Sequence, residues 1–438
     1  MSILSKEEAR KILEKALSFS EAEACEVNLN GSNSGNVRYA RNTITTSGVS
    51  STLTLSVQCS FGKKTGTATI NELDEASLRK VVKRAEEIAR LSPESPEFMG
   101  VLAPQQYDEA KTFVPATANI KPEYRAEVAA ASINPAAAKQ VTAAGFFNDG
   151  HSFQAMMNSK GLFAYNQSTG IDFTVTMRSE DGTGSGWATR DFNDVSKFDA
   201  GATSQIAIDK CLQSRNPKAI EPGKYTVILE PAAAIDLLQN MLGNMSARSA
   251  DEGRSFLTKK GGGNKLGEKI VDERITIYSD PLHPEIPATT WNGEGLPLKK
   301  TYWLEKGVVK NMFYNRYWAE QKGVAPVPGP SNAIIEGGTA SLEDLIKDTQ
   351  RGVLVTRLWY IRSVDPQTLL YTGLTRDGTF YIENGKIKYP VKNFRFNESP
   401  VIMLNNLEAL GKPQRIGGNL VPPIKVRDFT FTSLSDAI

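Results

Sequence analysis

Few residues in this sequence are of the types that bind zinc or act as catalytic nucleophiles. The 438 residues include two histidines, His151 and His283, and three cysteines, Cys25, Cys59 and Cys211. Zinc is held by imidazole, thiolate or carboxylate donors, and neither histidine has a second one at ligand spacing. We expect both histidines on the surface or in loops. The odd number of cysteines, without paired spacing, is typical of reduced, buried thiols in a cytoplasmic protein.

The sequence supports neither a phosphate-binding loop nor an active hydrolase built on other residues. The segment Lys259–Lys265 is rich in glycine and lysine, but it lacks the spacing and the final serine or threonine of a phosphate-binding loop. We therefore predict a surface loop there. The chain has no Gly-x-Ser-x-Gly elbow, and no cysteine follows Cys211 to act as a nucleophile.

The composition bounds the class of protein. The net charge is +2, with 40% hydrophobic and 23% charged residues, which is typical of a globular protein of two or three domains. Basic and acidic residues are interspersed, so we expect no direct binding of nucleic acid or of an anionic membrane. The first residues lack the apolar core of a signal peptide, and no apolar stretch approaches the ~20 residues of a membrane span. These observations favour a cytoplasmic location.

The first half of the sequence predicts a mixed domain of helices and antiparallel strands. Ser5 and Glu8 form a capping-box pair that starts a helix, and Asp74 to Leu91 predicts a second helix. Alternation over Ser51–Ser60 indicates a strand with Leu53, Leu55, Val57 and Cys59 on one face. Further predicted elements are strands at 140–149, 153–159, 162–168 and 172–179, joined by glycine-containing turns, and a helix at 202–213.

The second half predicts a β-rich domain after a boundary near 216–223, which gives domains 1–217 and 218–438. Pro231 occupies the favoured first position of a helix that extends to Gly243. Hairpins are predicted at 304–309 and at 380–387, where Asn384-Gly385 suits a type I′ turn. The aromatic residues of this half, among them Trp359 and Tyr360, are predicted to fill a core or a subunit interface. The predicted fold class is α+β: an N-terminal α/β domain with antiparallel sheets, then a C-terminal β-rich domain carrying one prominent helix.

Several separate motifs of the second half occur in an order that resembles the TldD/PmbA (TldE) metallopeptidase family, whose older label is modulator of DNA gyrase. The motifs are DEGRSF at 251–256, DP at 280–281, WNGEGLP at 291–297, LEKGV at 304–308, YNRY at 314–317, PSN at 330–332, and TGLTRDG at 372–378 with IENGKIKYPV at 382–391. Agreement of several motifs in order is far more specific than any one of them.

The resemblance implies that the residues of the metal site have been replaced. Active members carry a His-Glu-x-x-x-His motif on the first helix of this domain and a further cysteine ligand near the C-terminus. Gln239 occupies the place of the first histidine, Asn240 that of the glutamate and Asn244 that of the second histidine, while 411–423 contains no cysteine. Neutral amides are poor zinc donors, and an amide does not serve as a general base. We therefore assign no metal ligand and no catalytic residue to this chain.

Gln239, Asn240 and Asn244 become candidates for contacting a peptide, because amides both donate and accept hydrogen bonds. The alternative is that they bind neighbouring loops or water. Residues five apart lie roughly 140° apart around a regular helix, so Gln239 and Asn244 converge only if the helix ends or bulges near Gly243.

By resemblance, the chain is expected to be a peptidase component for small unstructured peptides, in their maturation or degradation. It is expected to be the non-catalytic PmbA/TldE-type subunit or paralogue, inactive alone, as a homodimer or as a heteromer with a TldD-type subunit. Zinc is expected only in that TldD-type partner. The alternative is a homodimeric peptide- or protein-binding module with no peptidase role.

Overall fold

A computed structural model describes residues 3–435 and has the predicted mixed α+β class. The remaining residues, which the predicted domain ranges include, lie outside this description. The first half is built on one antiparallel sheet of order β3-β2-β1-β4-β5-β6. Its strands are β1 Ala24–Ala40, β2 Thr43–Phe61, β3 Lys64–Ile70, β4 Val141–Asn158, β5 Phe163–Ser179 and β6 Ser185–Phe192.

Helices pack on this sheet at both ends of its long strands. The Ser5–Glu8 capping box starts the first helix as predicted, and Leu55, Val57 and Cys59 are buried on the face of β2 that the first two helices cover. All three cysteines are free and buried, as expected. The helices of this half are α1 Lys6–Leu17, α2 Glu75–Leu91, α3 Pro115–Ala118, α4 Pro122–Ala138 and α5 Ala200–Gln213.

The structure corrects two predictions for this half and adds two elements that were not predicted. The glycines Gly150 and Gly170, expected in turns, pair with each other inside a single long β4–β5 hairpin, so four predicted short strands are two. Helix α4 and strand β6 were not predicted: α4 has Pro135 inside it, and β6 begins Ser185-Gly186. His151 lies in β4 and is half-buried, not in a loop.

The second half contains two sheets. One has the order β10-β9-β8-β11-β18-β17; in the other, β12 pairs with both β7 and β13, which closes β7, β12, β13, β15 and β19 into a ring. The strands are β7 Gly223–Leu229, β8 Ile277–Ser279, β9 Thr301–Glu305, β10 Val308–Val309, β11 Ile334–Ile335, β12 Arg351–Asp365, β13 Leu370–Glu383, β14 Lys386–Pro390, β15 Asn393–Glu398, β16 Leu407–Leu410, β17 Gln414–Ile416, β18 Asn419–Val421 and β19 Ile424–Ser435. The helices are α6 Pro231–Gly243, α7 Ala247–Asp251, α8 Arg316–Lys322, α9 Leu342–Lys347 and α10 Pro400–Asn405.

The local predictions for this half are confirmed, and for one aromatic pair the structure removes the core from the two predicted roles and leaves the subunit interface. Both predicted hairpins form, and Asn384 and Gly385 have φ of 50° and 74°, as a type I′ turn requires. Trp359 and Tyr360, in contrast, are 43% and 55% exposed at a bulge of β12, so they fill no core in this chain. Within residues 3–435, no helix has both the length and the apolar character needed to cross a bilayer.

Charged contacts join the two halves next to α6. Asp191 of β6 accepts hydrogen bonds through Oδ2 from Arg415 Nε, at 2.8 Å, and from the Gly418 amide, at 2.9 Å. Lys210 of α5 forms a 2.6 Å ion pair with Glu230, which precedes α6. These contacts join β6 to the β17–β18 turn and α5 to the start of α6, the helix that carries the candidate residues.

Candidate functional site

Helix α6 presents one apolar face to the core and one polar face to cavities. Pro231 is its first residue, and Ala233, Ala234, Leu237 and Leu238 are fully buried in the C-terminal core. The apolar spacing of this sequence fixes which side chains remain outside. The polar face carries Asp236, Gln239, Asn240 and Asn244, of which Gln239 and Asn244 are exposed and the other two half-buried.

The structure separates the three predicted amides instead of bringing them together. Helix α6 ends at Gly243, which was the condition for Gln239 and Asn244 to converge. The two side chains nevertheless line different cavities. The Asn240 amide donates to the Asp236 carbonyl at 2.6 Å, and that of Asn244 donates to the Asn240 carbonyl at 2.8 Å and to the Tyr371 hydroxyl at 3.1 Å. Among the described residues, Gln239 has no side-chain hydrogen bond and is the amide left for a ligand.

A cavity of about 310 Å³ lies over the Gln239 side of α6, between the two halves of the chain. The N-terminal half contributes strands β5 and β6, and the C-terminal half contributes α6, β12 and the turn between β17 and β18. That turn belongs to the segment 411–423 where the family resemblance expected a cysteine. The lining residues are Asp172, Trp187, Thr189, Asp191, Ala232, Ile235, Asp236, Gln239, Arg357, Leu358, Ile416, Gly417 and Asn419.

Two carboxylates of this cavity, Asp236 and Asp172, lie in an environment that disfavours their charge. Burial raises the pKa of Asp236 to about 7, against a weaker opposing effect of the Arg357 charge. The pKa of Asp172 is also raised, by burial first and by the neighbouring charge of Asp191 second. Perturbed carboxylates in a cleft are typical of binding and catalytic sites, and of structural networks as well.

Arg357 is held in the cavity wall by a buried carboxylate behind it. Asp377, whose side chain is fully buried, lies 2.5 Å from Arg357 Nη2 and 3.7 Å from both Arg178 and Arg376. The Ser185 hydroxyl of β6 also donates to Asp377. On its cavity side, the Arg357 guanidinium lies 4.6 Å from the centre of the Trp187 ring, a cation–π distance. The position of this cation is therefore set by residues of both halves.

The donors at this site do not fit zinc. No group of three or more histidine, cysteine, aspartate or glutamate side chains suited to a metal occurs within residues 3–435. The two positions that the family resemblance predicted for histidines, Gln239 and Asn244, carry amides and face separate cavities. Residues 416–419, which face Gln239, offer isoleucine, glycine and asparagine side chains, none of which is a good zinc donor.

Sequence reasoning missed the charged residues of the cavity: Asp172, Asp191, Asp236 and Arg357. Asp236 carried a local signal, because it is a lone acid between Ile235 and Leu237 on a helix that is otherwise apolar before Gln239. Asp172 and Asp191 reach the cavity through the pairing of β5 with β6, where they are direct partners. Since β6 was not predicted, neither was this pair.

Comparison with family models covers most of the chain. The model of the PmbA/TldA metallopeptidase C-terminal domain matches residues 222–433, the model of domain 1 matches 25–89, and the model of the central domain matches 115–214.

Relatives and solved structures agree with this match. The chain is 29% identical over 280 residues to an uncharacterised protein of Methanocaldococcus jannaschii, spanning 59% of this chain and 64% of that relative. It is 23% identical to Metalloprotease PmbA of Escherichia coli O157:H7, over 97% of this chain and 98% of that protein. The fold matches TldE of Thermococcus kodakarensis, with a TM-score of 0.87, 20% identity and 97% and 99% of the two chains covered. It also matches a Bacteroides thetaiotaomicron protein described as a modulator of DNA gyrase, with a TM-score of 0.88, 22% identity and 99% and 100% coverage.

Proposed function

This chain belongs to the PmbA/TldD metallopeptidase family, and we propose that it is a non-catalytic, PmbA/TldE-type component that binds small unstructured peptides for maturation or degradation. The observation that carries this proposal is the chemistry of the cavity on α6. Gln239, which takes the place of the first histidine, faces charged side chains, and within the described residues it has no side-chain hydrogen bond and no set of zinc donors around it.

The geometry supports a binding role better than a hydrolytic one. Gln239 provides both a donor and an acceptor, as an extended peptide backbone requires. Asn240, which takes the place of the glutamate, cannot accept a proton from water, and its amide is hydrogen-bonded to the helix. In this proposal cleavage requires a TldD-type subunit carrying the intact motif, and zinc resides in that subunit. The location is cytoplasmic.

A reconstitution experiment tests this function. The chain is purified alone, and again after co-expression with a TldD-type homologue from the same source. We expect no cleavage of an unstructured peptide by the chain alone, and chelator-sensitive cleavage by the co-purified pair. Cleavage by the chain alone would contradict the non-catalytic role. Failure of the two chains to associate, with tight peptide binding by a homodimer, would instead favour a binding module without a peptidase role.

Association of the two chains does not by itself establish peptide binding. A variant of Gln239 therefore tests peptide binding separately. Gln239→Ala removes a side chain that has no hydrogen-bond partner within residues 3–435, and it should lower peptide affinity without changing the amount of co-purified complex. Asn244→Ala serves as the matched control, because this amide faces another cavity. Equal loss of affinity in both variants would contradict the assignment of the Gln239 cavity as the peptide site.

A further inference from the structure

Two of the three cysteines face each other across neighbouring strands of the N-terminal sheet. Cys25 of β1 is the direct partner of Cys59 of β2, and their sulfur atoms lie 3.6 Å apart. Both side chains are almost fully buried, at 1% and 0% exposure, beneath helices α1 and α2. The two thiols are therefore brought together by the strand register, which their spacing along the chain does not reveal.

The backbone geometry of this pair suits a disulfide. The Cys25 amide donates to the Ser159 hydroxyl at 3.1 Å, and the Cys25 carbonyl accepts from the Ser159 amide at 2.8 Å, so these backbone groups point away from β2. Cys25 and Cys59 thus form a non-hydrogen-bonded pair, in which the Cα atoms are typically about 4.5 Å apart. Disulfides span Cα separations of roughly 4.4–6.8 Å. Rotation of the two side chains is therefore enough to bring the sulfurs to bonding distance.

The surroundings of the pair favour one thiolate beside one thiol. The hydrogen bond between the two sulfurs lowers the pKa of Cys59 and raises that of Cys25. The Ser20 hydroxyl lies 3.8 Å from the Cys59 sulfur and also lowers the pKa of Cys59, against an opposing effect of burial. Burial raises the pKa of Cys211, on α5 in another part of the core, to about 11. Because the thiolate is the form that attacks peroxides, Cys59 is the most reactive of the three.

We propose that Cys25 and Cys59 are a redox-active pair, which a peroxide oxidises to a cross-strand disulfide. The Cys59 sulfur attacks one oxygen of hydrogen peroxide, the O–O bond breaks, and the leaving hydroxide takes the thiol proton to form water. The Cys25 sulfur then attacks the Cys59 sulfenic acid, the S–O bond breaks, and the hydroxide leaves with the Cys25 proton as a second water. Two thiols are oxidised by two electrons and one peroxide is reduced. A dithiol reductant reverses the change by thiol–disulfide exchange and is itself oxidised.

The turn between α1 and β1 provides the approach to the pair. Ser20, in this turn, is half-buried, and its hydroxyl donates to Glu86 at 3.1 Å. Local opening of the turn admits a molecule as small as hydrogen peroxide to the Cys59 sulfur. In a reducing compartment the pair stays reduced until the peroxide level rises, which agrees with the free thiols of the structure.

The test maps disulfides in the full chain by mass spectrometry. The folded protein is treated with a series of hydrogen peroxide concentrations, the peroxide is removed with catalase, and the remaining thiols are alkylated with N-ethylmaleimide during denaturation. Trypsin places the three cysteines in separate peptides, 16–38, 42–63 and 211–215. We expect 16–38 and 42–63 to be joined, with the loss of two hydrogen atoms, and 211–215 to be alkylated. Dithiothreitol before alkylation should restore both thiols.

The unfolded chain is the reference for the role of the fold. The same treatment in urea should give links that include Cys211, since no fold then selects a partner. Links to Cys211 in the folded protein, or oxidation of Cys59 beyond the sulfenic acid without a link to Cys25, would overturn the proposal. Alkylation of all three thiols in the folded protein, at peroxide concentrations that oxidise the unfolded chain, would overturn it as well.

Single variants test which sulfur attacks the peroxide. Cys211→Ala is the matched control, because it removes another fully buried thiol, and it should leave the link unchanged. Cys25→Ala should abolish the link and leave a sulfenic acid at Cys59 that reacts with dimedone. Dimedone on Cys25 in Cys59→Ala, with none on Cys59 in Cys25→Ala, would contradict the assignment of Cys59 as the attacking sulfur. These results depend on neither peptide binding nor zinc, so they are separate from the tests of the proposed function.

Discussion

Asp377 and Asp236 both lie next to Arg357, yet the fold treats their charges in opposite ways. Asp377 is fully buried, lies within ion-pair distance of three arginines and accepts a hydrogen bond from Ser185. Asp236 faces a cavity and has no partner for its carboxylate among the described residues. A compensated buried charge is typical of a residue that maintains structure, and an uncompensated one in a cleft is typical of a binding site.

The largest expected effect comes from Asp377, because its removal leaves three half-buried arginines without their buried counter-charge. We predict that Asp377→Asn lowers the free energy of unfolding by about 3–5 kcal/mol. Urea unfolding followed by tryptophan fluorescence measures this change. Asp209→Asn, on the exposed face of α5, should change it by less than about 0.5 kcal/mol. A loss in Asp377→Asn no larger than that of the control would remove the structural side of the comparison.

A smaller loss is expected from Gly186 of β6, the strand that supplies residues to both Asp377 and the cavity. A Cβ atom here would lie 2.1 Å from the Ala207 carbonyl oxygen and 2.4 Å from the Cys211 amide nitrogen of α5. We predict that Gly186→Ala costs about 1–3 kcal/mol through overpacking and lowers peptide affinity by displacing β6.

The glycine at the end of α6 offers the matched control for this substitution. No atom lies within 4 Å of a Cβ placed on Gly243, so Gly243→Ala should leave the free energy of unfolding nearly unchanged. Equal effects of the two substitutions, measured by urea unfolding, would show that close packing of β6 on α5 does not position the cavity wall.

The third expected change is an increase in the free energy of unfolding, and its size depends on pH. The folded pKa of Asp236, about 7, lies above that of a free carboxyl, so the folded state retains a proton that the unfolded state releases. Because of this difference in bound protons, the free energy of unfolding falls as the pH rises from about 4 to 7. Asp236→Asn removes this fall. We predict that Asp236→Asn gains about 1 kcal/mol more at pH 8 than at pH 5, a value reduced for partial exposure to solvent. A destabilised variant at pH 8 would show that the carboxylate has a stabilising partner.

The smallest expected changes in the free energy of unfolding come from the two exposed amides at α6, Asn244 and Gln239. Asn244 donates to the Asn240 carbonyl and the Tyr371 hydroxyl, so Asn244→Ala should cost about 1 kcal/mol. Gln239→Ala should cost less than about 0.5 kcal/mol, because Gln239 has no hydrogen bond to a described residue. Thermal unfolding of both variants provides the measurement. The reverse order would assign the structural role to Gln239.

Elements with a local signal were predictable from the sequence. The Ser5–Glu8 capping box, Pro231 at the start of α6 and the Asn384-Gly385 turn each depend on a few adjacent residues, and all three formed. The four-strand interpretation of 140–179 was wrong because glycine was taken to mark turns. Strands β4 and β5 form one hairpin with seventeen directly opposed residue pairs, and Gly150 lies opposite Gly170 in the middle of it.

The candidate site was predictable only in part, because most of it is assembled by tertiary contacts. The resemblance to known motifs located α6 and its three amides, and it predicted that good zinc donors are missing there. It did not indicate that Gln239 and Asn244 face different cavities, since this depends on what packs around the end of the helix. Asp172 and Asp191 reach Asp236 only through strand pairing and the contact between the two halves.

The central claim is that this family member binds peptides without holding its own zinc, and metal analysis tests it most directly. The purified chain is incubated with zinc, dialysed, and measured for zinc per chain by elemental analysis, alongside a TldD-type homologue with the intact motif. We expect stoichiometric zinc in the homologue and only a small fraction per chain here. One zinc per chain that survives dialysis here, with chelator-sensitive cleavage of a peptide, would contradict it.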